Sequence, residues 1–335
     1  MPASAVRQWL KLARLQAGCA TAITSVFGAI LLMPRYGIDV VHLFILFIIG
    51  LLFHFYGFVL NEYSDIEVDM YAKELTDKPL IKGTIKKKHA LYAAIVAIMI
   101  ALGAEIIIFK SVLATSAFLV AIILGAIYDL YGKRFFGADF VLGGSIFFFT
   151  LFGAFTVSNN LTPVVFLAAF LFFIQLAFQT GFTGGMKDIP HDYLAGAKTS
   201  PVYLGCRVVG KKLIITREFR IYVIGTKTVH TSAVFIPFLV EWFDSYDPVI
   251  LQIPILILLV LLMWGAALKA VSFKEFKREK LMRILGAHEV VTYPMVAILV
   301  MGFIGILNAV ILLLLPIIWY AGFLYIIYGR FMPDV

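Results

Sequence analysis

Long apolar runs separated by short polar segments make up most of the chain. Ten of these runs are long enough to cross a bilayer as an α-helix, which needs about 20 mostly apolar residues. They lie near residues 17–33, 40–60, 90–109, 112–131, 139–157, 163–186, 221–243, 249–271, 288–307 and 309–329. The seventh is the weakest, because Lys227 and His230 interrupt it, and the last two meet at Asn308 and can form one helix. The pattern predicts an all-α, polytopic membrane helical bundle of nine or ten transmembrane helices.

The composition agrees with a membrane protein and excludes several other classes. Hydrophobic residues make up 62% of the 335 and charged residues 14%. The mean hydropathy is +0.97, far outside the range of soluble proteins. The net charge of +8 comes without the aromatic and basic pattern of a nucleic-acid module, so no nucleic-acid partner is expected. Cys19 and Cys206 have no nearby thiol, which argues against a disulfide framework or a zinc site.

The distribution of lysine and arginine predicts the orientation. If residue 1 lies in the cytoplasm, only Arg35 and Lys110 of the 28 Lys and Arg residues lie outside. Basic residues accumulate on the cytoplasmic side of membrane proteins and attract anionic headgroups of membrane lipids there. The sequence therefore predicts an integral, multi-pass protein of the cell membrane with both termini in the cytoplasm.

Two short acidic runs, NEYSDIEVD and KDIPHD, each follow the cytoplasmic end of an apolar run. Asn61, Asp65 and Asp69 are four residues apart, as are Asp188 and Asp192, so each set lies on one helix face. Carboxylates grouped at one depth in a membrane protein are unfavourable unless they bind a cation. Mg²⁺ binds few carboxylates and keeps positions for phosphate oxygens. We expect the four aspartates to be catalytic metal ligands for a bound polyphosphate, with Asn61 as a neutral ligand or a donor to phosphate.

Several basic residues are candidates for binding that polyphosphate. Lys133 and Arg134 lie at the inner end of the fourth apolar run, where cations can complement phosphate oxygens. Tyr128 precedes them and can donate its hydroxyl. Lys187 and Lys198 flank the second acidic run and are weaker candidates for the same role.

An internal repeat relates the two acidic runs. The corresponding residues, at offsets of 122 or 123, are Asp65 and Asp188, Asp69 and Asp192, Pro79 and Pro201, and Gly83 and Gly205. Four apolar runs separate the copies, and an even number keeps both on the same side of the membrane. The chain is therefore expected to be a single membrane domain, 1–335, of two parallel pseudo-repeats, about 1–135 and 136–335, with the site at their interface.

These motifs together resemble one known family. N-x-x-x-D-x-x-x-D at residues 61–69, KPLIKG at 78–83, Y-x-x-x-x-K-R at 128–134 and KDIPHDYLAGAKTSPVYLG at 187–205 are similar to the UbiA superfamily of intramembrane prenyltransferases. The likeness covers nearly the whole chain in order. Two features depart from the usual pattern of the family. One is an additional span near the C-terminus, and the other is a longer, more basic stretch at residues 206–228.

The resemblance implies an all-helical fold around a central cavity and a prenyltransferase activity. A magnesium-bound isoprenyl diphosphate, best matched by geranylgeranyl diphosphate, is ionised, and its prenyl group is passed to a lipophilic acceptor. The active site is then cytoplasmic, and Lys78 in the KPLIKG run joins the candidates for substrate binding.

The acceptor is open chiefly between two chemical types, with chlorophyll-type, haem-type and other acceptors as further alternatives. The spacing of Tyr128 and Lys133, the KDIPHD and GAKTSP runs and the surplus of cytoplasmic cations favour geranylgeranylglyceryl phosphate, an intermediate of archaeal ether lipids. The alternative is an aromatic acid such as 4-hydroxybenzoate or a naphthoate, as in quinone synthesis. A membrane transporter is a different class of interpretation. It is disfavoured because proton paths need acids at mid-depth, and only Glu105 lies well within an apolar run.

The predicted topology can be tested by thiol labelling. Single cysteines introduced at Ser64 and at Thr199, with Cys19 and Cys206 replaced, should react with an impermeant reagent only from the cytoplasmic face. The reason is that both positions lie beside acidic runs that the Lys and Arg distribution places inside. Labelling of either cysteine from outside would overturn the orientation.

Overall fold

The computed structural model describes residues 2–37, 39–69, 77–240 and 251–331, with only the backbone described for residues 2–4 and 67–69. The first helices are α1 (Pro2–Leu12), α2 (Gly18–Ile30), α3 (Met33–Tyr36), α4 (Val40–Asp69), α5 (Lys87–Ile108), α6 (Val112–Tyr131), α7 (Ala138–Phe155) and α8 (Pro163–Phe178). They are followed by α9 (Gly185–Leu194), α10 (Ser200–Tyr203), α11 (Arg217–Phe235), α12 (Gln252–Val271), α13 (Arg278–Thr292), α14 (Pro294–Ile304) and α15 (Ile306–Tyr328). The described strands are β1 (Arg207–Val209) and β2 (Lys212–Ile214).

The predicted all-α membrane fold is confirmed, although the count of nine or ten spans is not. Within the described ranges, eight helical segments are long and apolar enough to cross a membrane. These segments are Val40–Ile66, Lys87–Ile108, Val112–Tyr131, Ala138–Phe155, Pro163–Leu194, Gln252–Val271, Arg278–Ile304 and Ile306–Tyr328. The first predicted span corresponds to a shorter apolar helix, Leu15–Ile30. The seventh corresponds to α11, which is more polar because it begins with charged residues and contains Lys227 and His230.

The length of α4 explains where the first acidic motif lies. The helix has 30 residues, which is about 45 Å at a rise of 1.5 Å per residue. The hydrocarbon core of a bilayer is only about 30 Å thick. The last turns of α4, which contain the motif, therefore extend beyond the apolar part of the helix.

The chain divides into two compact units. The first contains residues 1–130, 148–165 and 311–334, and the second contains residues 131–147 and 166–310. This division does not test the expected single domain of two pseudo-repeats, which stays a prediction.

In the first unit, small residues bring α2 into direct backbone contact with α4 and α7. A Cβ atom on Gly50 of α4 would lie 2.5 Å from the Ala22 Cα of α2. A Cβ atom on Gly153 of α7 would overlap the carbonyl oxygen of Ser25. Such close approach is the usual way in which membrane helices pack, since lipid provides no hydrophobic driving force. Helix α2 is consequently buried along almost its whole length.

Four phenylalanine rings form an aromatic core in the same unit. The ring centroids of Phe53 and Phe149 are 4.4 Å apart, and those of Phe118 and Phe152 are 4.6 Å apart. All four side chains are buried. Stacked rings at these distances add specific geometry to the burial of a large apolar area, which holds the upstream part of α4 in place.

The second unit has its core beside the second acidic motif. Apolar side chains of α8, α9, α11, α12 and α13 meet there, including Phe178, Phe182, Met186, Phe219 and Leu285. Strands β1 and β2 pair antiparallel next to this core. The backbone of β2 also bonds the segment before α13, because the Leu213 N–H donates to the Lys274 carbonyl oxygen at 2.9 Å.

The basic stretch at residues 206–228, whose fold the sequence left open, is therefore a hairpin followed by the start of α11. Gly210 takes a positive φ of 62° in the tight turn between the strands, a conformation that glycine adopts without strain. Thr216 caps α11: its Oγ1 accepts a hydrogen bond from the Phe219 N–H at 3.3 Å and donates one to the Leu204 carbonyl oxygen at 2.6 Å.

We expect Gly153→Ala to lower the thermal unfolding temperature of the purified protein in detergent. The added methyl group would overlap the Ser25 carbonyl oxygen, and overpacking of this kind costs about 1–3 kcal/mol. Gly103→Ala on α5 is the matched control, because nothing lies within 4 Å of a Cβ atom there. Alanine favours a helix more than glycine does, so this control should unfold at the same or a higher temperature. Equal effects of both changes would contradict the close contact of α2 and α7.

Candidate active site

The first acidic motif occupies the last turns of α4. Asn61 and Asp65 are half-buried and one turn apart, so they share a helix face as predicted. Asp69 is the last residue of the helix, and its side chain lies outside the described part of the structure. The continuous helix keeps the motif rigid at the end of its span.

Glu62, beside Asn61, anchors this region through two ion pairs. Its side chain is only 6% exposed, and its Oε1 lies 2.6 Å from Arg14 Nη2. Lys78 Nζ lies 3.0 Å from Glu62 Oε2. Removal of one partner from a buried pair is strongly destabilising, because it leaves a charge without compensation. Lys78, predicted to bind substrate, is thus brought to the first motif by Glu62, a residue that the sequence analysis did not select.

Asp129 is a second carboxylate that the sequence analysis missed. It is buried near the end of α6 and directly follows the half-buried Tyr128. A Cβ atom on Gly57 of α4 would lie 3.8 Å from Asp129 Oδ2, so Asp129 faces α4 at the turn where that helix has no side chain. The charge of Asp65 acts on it electrostatically. An aspartate at the inner end of an otherwise acid-free apolar run was the signal available in the sequence.

In the second unit, a π-helical turn sets the direction of the second motif. The turn covers Gln179–Gly184, between α8 and α9. Gln175, Gln179 and Thr183 are four residues apart, whereas Asp188 follows Thr183 by five. A π-helical turn closes hydrogen bonds over five residues instead of four and is common at functional sites. The additional residue therefore aligns Asp188 with the polar stripe of the preceding helix.

Glycines make the π-helical turn compatible with its neighbours. A Cβ atom on Gly181 would lie 2.6 Å from Asp139 Oδ2 and 2.5 Å from the Tyr222 hydroxyl. A Cβ atom on Gly185 would lie 2.7 Å from Pro201. Any larger residue at either position would displace the helix that carries the second motif.

The two aspartates of the second motif have different surroundings. The Asp188 side chain is 37% exposed and lies between two cations, 3.5 Å from Arg278 Nη2 and 3.9 Å from Lys187 Nζ. Asp192 is buried on α9. Arg278, the first residue of α13, comes from a segment ninety residues later in the chain, and no local pattern could have assigned it to Asp188.

Two of the predicted phosphate-binding lysines lie close together in the second unit. The Lys198 N–H donates a hydrogen bond to the Lys133 carbonyl oxygen at 2.8 Å. Arg134 is exposed, with its guanidinium group 5.3 Å from the centre of the Tyr131 ring. The hydrogen bond between Lys198 and Lys133 therefore connects the loop after the second motif to the turn after α6.

The donor atoms at both motifs are suited to a hard divalent cation. Mg²⁺ prefers oxygen ligands, usually one or two carboxylates together with phosphate oxygens. Asp65 and Asp129 supply two carboxylates whose mutual repulsion a bound cation would relieve. Within the described residues, no three His, Cys, Asp or Glu side chains form a complete metal site. The expected ligand Asp69 has no described side chain.

The fold and these motifs define a polytopic membrane protein with carboxylates and cations at the ends of its spans. The UbiA prenyltransferase family matches residues 21–284, and the chain belongs to this family. The resemblance deduced from the sequence is therefore confirmed.

Individual relatives support the same assignment. A 4-hydroxybenzoate octaprenyltransferase of Blochmanniella floridana is 29% identical over 187 residues, which are 54% of this chain and 64% of the relative. One from Blochmanniella pennsylvanica (strain BPEN) is 28% identical over 214 residues, which are 62% of this chain and 66% of the relative. The matched part is thus just under two thirds of the length of these relatives.

Solved structures share the fold at low sequence identity. A structure of digeranylgeranylglyceryl phosphate synthase in membranes has a TM-score of 0.66 and 16% identity, covering 90% of this chain and 100% of that one. A UbiA homologue from Archaeoglobus fulgidus bound to DMAPP and Mg²⁺ has a TM-score of 0.63 and 15% identity, covering 89% and 99%.

The proximity of Asp65 and Asp129 predicts a magnesium-dependent gain in stability. Mg²⁺ should raise the thermal unfolding temperature of the wild type more than that of Asp129→Asn, because the variant has one carboxylate fewer to bind the ion. Asp139→Asn is the matched control. Asp139 is also a buried aspartate, but it belongs to the second unit, where it accepts a hydrogen bond from Ser200 of the same unit. Its response to Mg²⁺ should equal that of the wild type. An unchanged response of Asp129→Asn would remove Asp129 from the site.

Proposed function

We propose that the protein is a magnesium-dependent prenyltransferase of the UbiA family. It transfers a prenyl group from an isoprenyl diphosphate to a lipophilic acceptor in the membrane. The observation that carries this proposal is the pair of acidic motifs at the ends of apolar helices, each with further charged partners, in a chain of this family.

The two motifs are suited to different parts of one metal–diphosphate group. Asp65 and Asp129 repel each other and are suited to holding the cation, together with Asp69 and Asn61. Asp188 is already flanked by Lys187 and Arg278, which are suited to diphosphate oxygens. The shared position of both motifs at span ends supports the proposal that they act on the same substrate.

The chemistry follows from the charge of the leaving group. The bond between the allylic carbon and the diphosphate oxygen breaks, and the electron pair leaves with the diphosphate. Bound Mg²⁺ acts as a Lewis acid on the diphosphate. Arg278 can bind phosphate oxygens in a bidentate manner, and Lys187, Lys133 and Lys198 act as point charges. The acceptor then bonds to the allylic carbon and loses a proton.

Aromatic side chains have a place in this chemistry as well. The developing allylic cation carries positive charge, which the face of an aromatic ring attracts. Phe182 is buried in the second unit on the helical run that ends in the second motif. Its burial also excludes water, which would otherwise capture the cation.

Geranylgeranyl diphosphate is our proposed donor and geranylgeranylglyceryl phosphate our proposed acceptor, the substrates of a digeranylgeranylglyceryl phosphate synthase. The motif spacing and the fold of the first solved neighbour support this choice. An aromatic acid is the second candidate, because the matched relatives are 4-hydroxybenzoate octaprenyltransferases. In both cases, the proposed active site and both termini face the cytoplasm, and the exposed basic residues contact membrane lipids. Membership of the family favours an enzyme over the transporter alternative.

The proposal is tested by adding Mg²⁺ and geranylgeranyl diphosphate to the purified protein with either geranylgeranylglyceryl phosphate or 4-hydroxybenzoate. We expect transfer to the glyceryl phosphate. Asp65→Ala and Asp188→Ala should each abolish it with the fold retained, because each removes a carboxylate that holds the cations needed to neutralise the leaving diphosphate. EDTA should have the same effect.

Asp77→Ala is the control for these variants. Asp77 is an exposed aspartate that pairs with Lys82 outside the spans, and its loss should leave prenyl transfer unchanged. Full activity of Asp65→Ala, of Asp188→Ala or in EDTA would refute the metal–diphosphate mechanism. Turnover of 4-hydroxybenzoate alone would replace the proposed acceptor by the aromatic one.

A further inference from the structure

A cluster of three basic side chains is buried in the second unit. Lys227 and His230 lie on α11, and His288 lies on α13, and each is at most 1% exposed. Lys227 Nζ lies 3.5 Å from His230 Nδ1. It also lies 3.6 Å from the centre of the Phe178 ring. We call these three residues the basic cluster.

The basic cluster has no counter-ion among the residues that the structure describes. No carboxylate among the residues that the structure describes pairs with Lys227. An ammonium group out of water is strongly unfavourable without a paired anion. The face of Phe178 offsets only part of this, because a cation–π contact contributes about 2 kcal/mol when desolvated. The cluster therefore has the composition of an anion site.

Several buried polar atoms around the basic cluster are without a partner. Neither ring nitrogen of His288 makes a hydrogen bond. The Gln175 Oε1 atom on the facing helix α8 is also buried and unpaired. Gln175 donates from its Nε2 to Thr292 Oγ1 at 2.6 Å, one turn beyond His288 on α13. Buried polar atoms are nearly always hydrogen-bonded in proteins, so unpaired ones point to a ligand that completes them.

Helix α13 connects the basic cluster to the second motif. Arg278, which contacts Asp188, is ten residues before His288 on the same helix. At a rise of about 1.5 Å per residue, His288 lies roughly 15 Å from Arg278 along the helix. The donor diphosphate itself belongs at the motif end of the helix, where Asp188 lies.

We propose that the basic cluster binds the oxyanion of the prenyl acceptor, a carboxylate or a phosphate. The inference rests on the proposed prenyl transfer and specifies which end of the acceptor this chain recognises. Lys227 supplies the positive charge, and His288 donates an N–H to the same oxyanion. His230 orients Lys227 through its Nδ1 atom, and Gln175 accepts from a hydroxyl or an N–H at the rim of the ligand. An acceptor held in this way presents its nucleophile toward the second motif.

The kinetic test compares charged and uncharged acceptors on Lys227→Met. The variant keeps the length of the side chain and removes its charge. The KM for geranylgeranylglyceryl phosphate or 4-hydroxybenzoate should rise about 10- to 100-fold, the range expected for the loss of one charge-assisted hydrogen bond. The KM for geranylgeranyl diphosphate should not change. With geranylgeranylglycerol or methyl 4-hydroxybenzoate, which lack the charge, wild type and variant should be alike.

Two further measurements separate a binding role from a structural one. Lys227→Met should unfold at the same or a higher temperature, because it removes a buried charge without a counter-ion. His288→Gln, which keeps a donor, should bind the charged acceptor better than His288→Leu. The matched control is Thr226→Val on the same helix, where the buried hydroxyl donates only to the Tyr222 carbonyl oxygen. It should leave all KM values unchanged.

Direct binding distinguishes failure of this inference from failure of the proposed function. Binding of each acceptor is measured by calorimetry on the wild type and on Lys227→Met. If the wild type transfers no prenyl group but binds the charged acceptors in a Lys227-dependent manner, the prenyltransferase proposal fails and the anion site stands. If transfer occurs and Lys227→Met binds and uses charged and uncharged acceptors equally well, the anion site is refuted. A lower unfolding temperature with equal losses for both acceptor types would also refute it.

Discussion

An ionised group within an apolar helix bundle is stable only beside a compensating charge or hydrogen bond. The organisation of the first unit depends on this constraint. Glu62 is buried because Arg14 and Lys78 both neutralise it, and these two ion pairs join the segment before α2 and the loop after α4 to the acidic end of α4. The buried carboxylate of Glu62 thus holds the first motif in position through its two ion pairs.

The two acidic motifs satisfy the same constraint in opposite ways. The charge of Asp65 acts on another carboxylate, Asp129, and the pair would gain from a bound cation. Asp188 lies between Lys187 and Arg278, so its charge is already compensated within the protein. This difference suits a division of labour in which carboxylates hold the metal and cations contact the phosphate oxygens.

Close helix packing provides the geometry in which these charges act. Gly50 and Gly153 let α2 contact its neighbours through backbone atoms. Although α2 is shorter than the helices that can cross a membrane, it is therefore still enclosed in the first unit. Gly181 and Gly185 do the same for the π-helical turn of the second unit. Asp65 and Asp188 themselves are half-buried, but the helices that carry them are held by contacts that admit no additional methyl group.

The sequence by itself determined the helical membrane fold, because an apolar run of bilayer length has few stable structures other than a membrane-spanning helix. It also identified Asp65, Asp69, Asp188 and Asp192 as candidates through their spacing along helices. These features depend on periodicity within one segment. The family resemblance, which the family match confirmed, was the basis for the proposed chemistry.

Only the tertiary structure decided which distant side chains meet. Arg278 reaches Asp188, Asp129 faces α4, and His288 approaches Lys227 through packing between helices far apart in the chain. The count of nine or ten spans is not confirmed, and α11 illustrates the difficulty, because neighbouring helices bury its polar residues Lys227 and His230. Local patterns specify what a helix exposes on each face, but the partner of that face depends on how the whole chain packs.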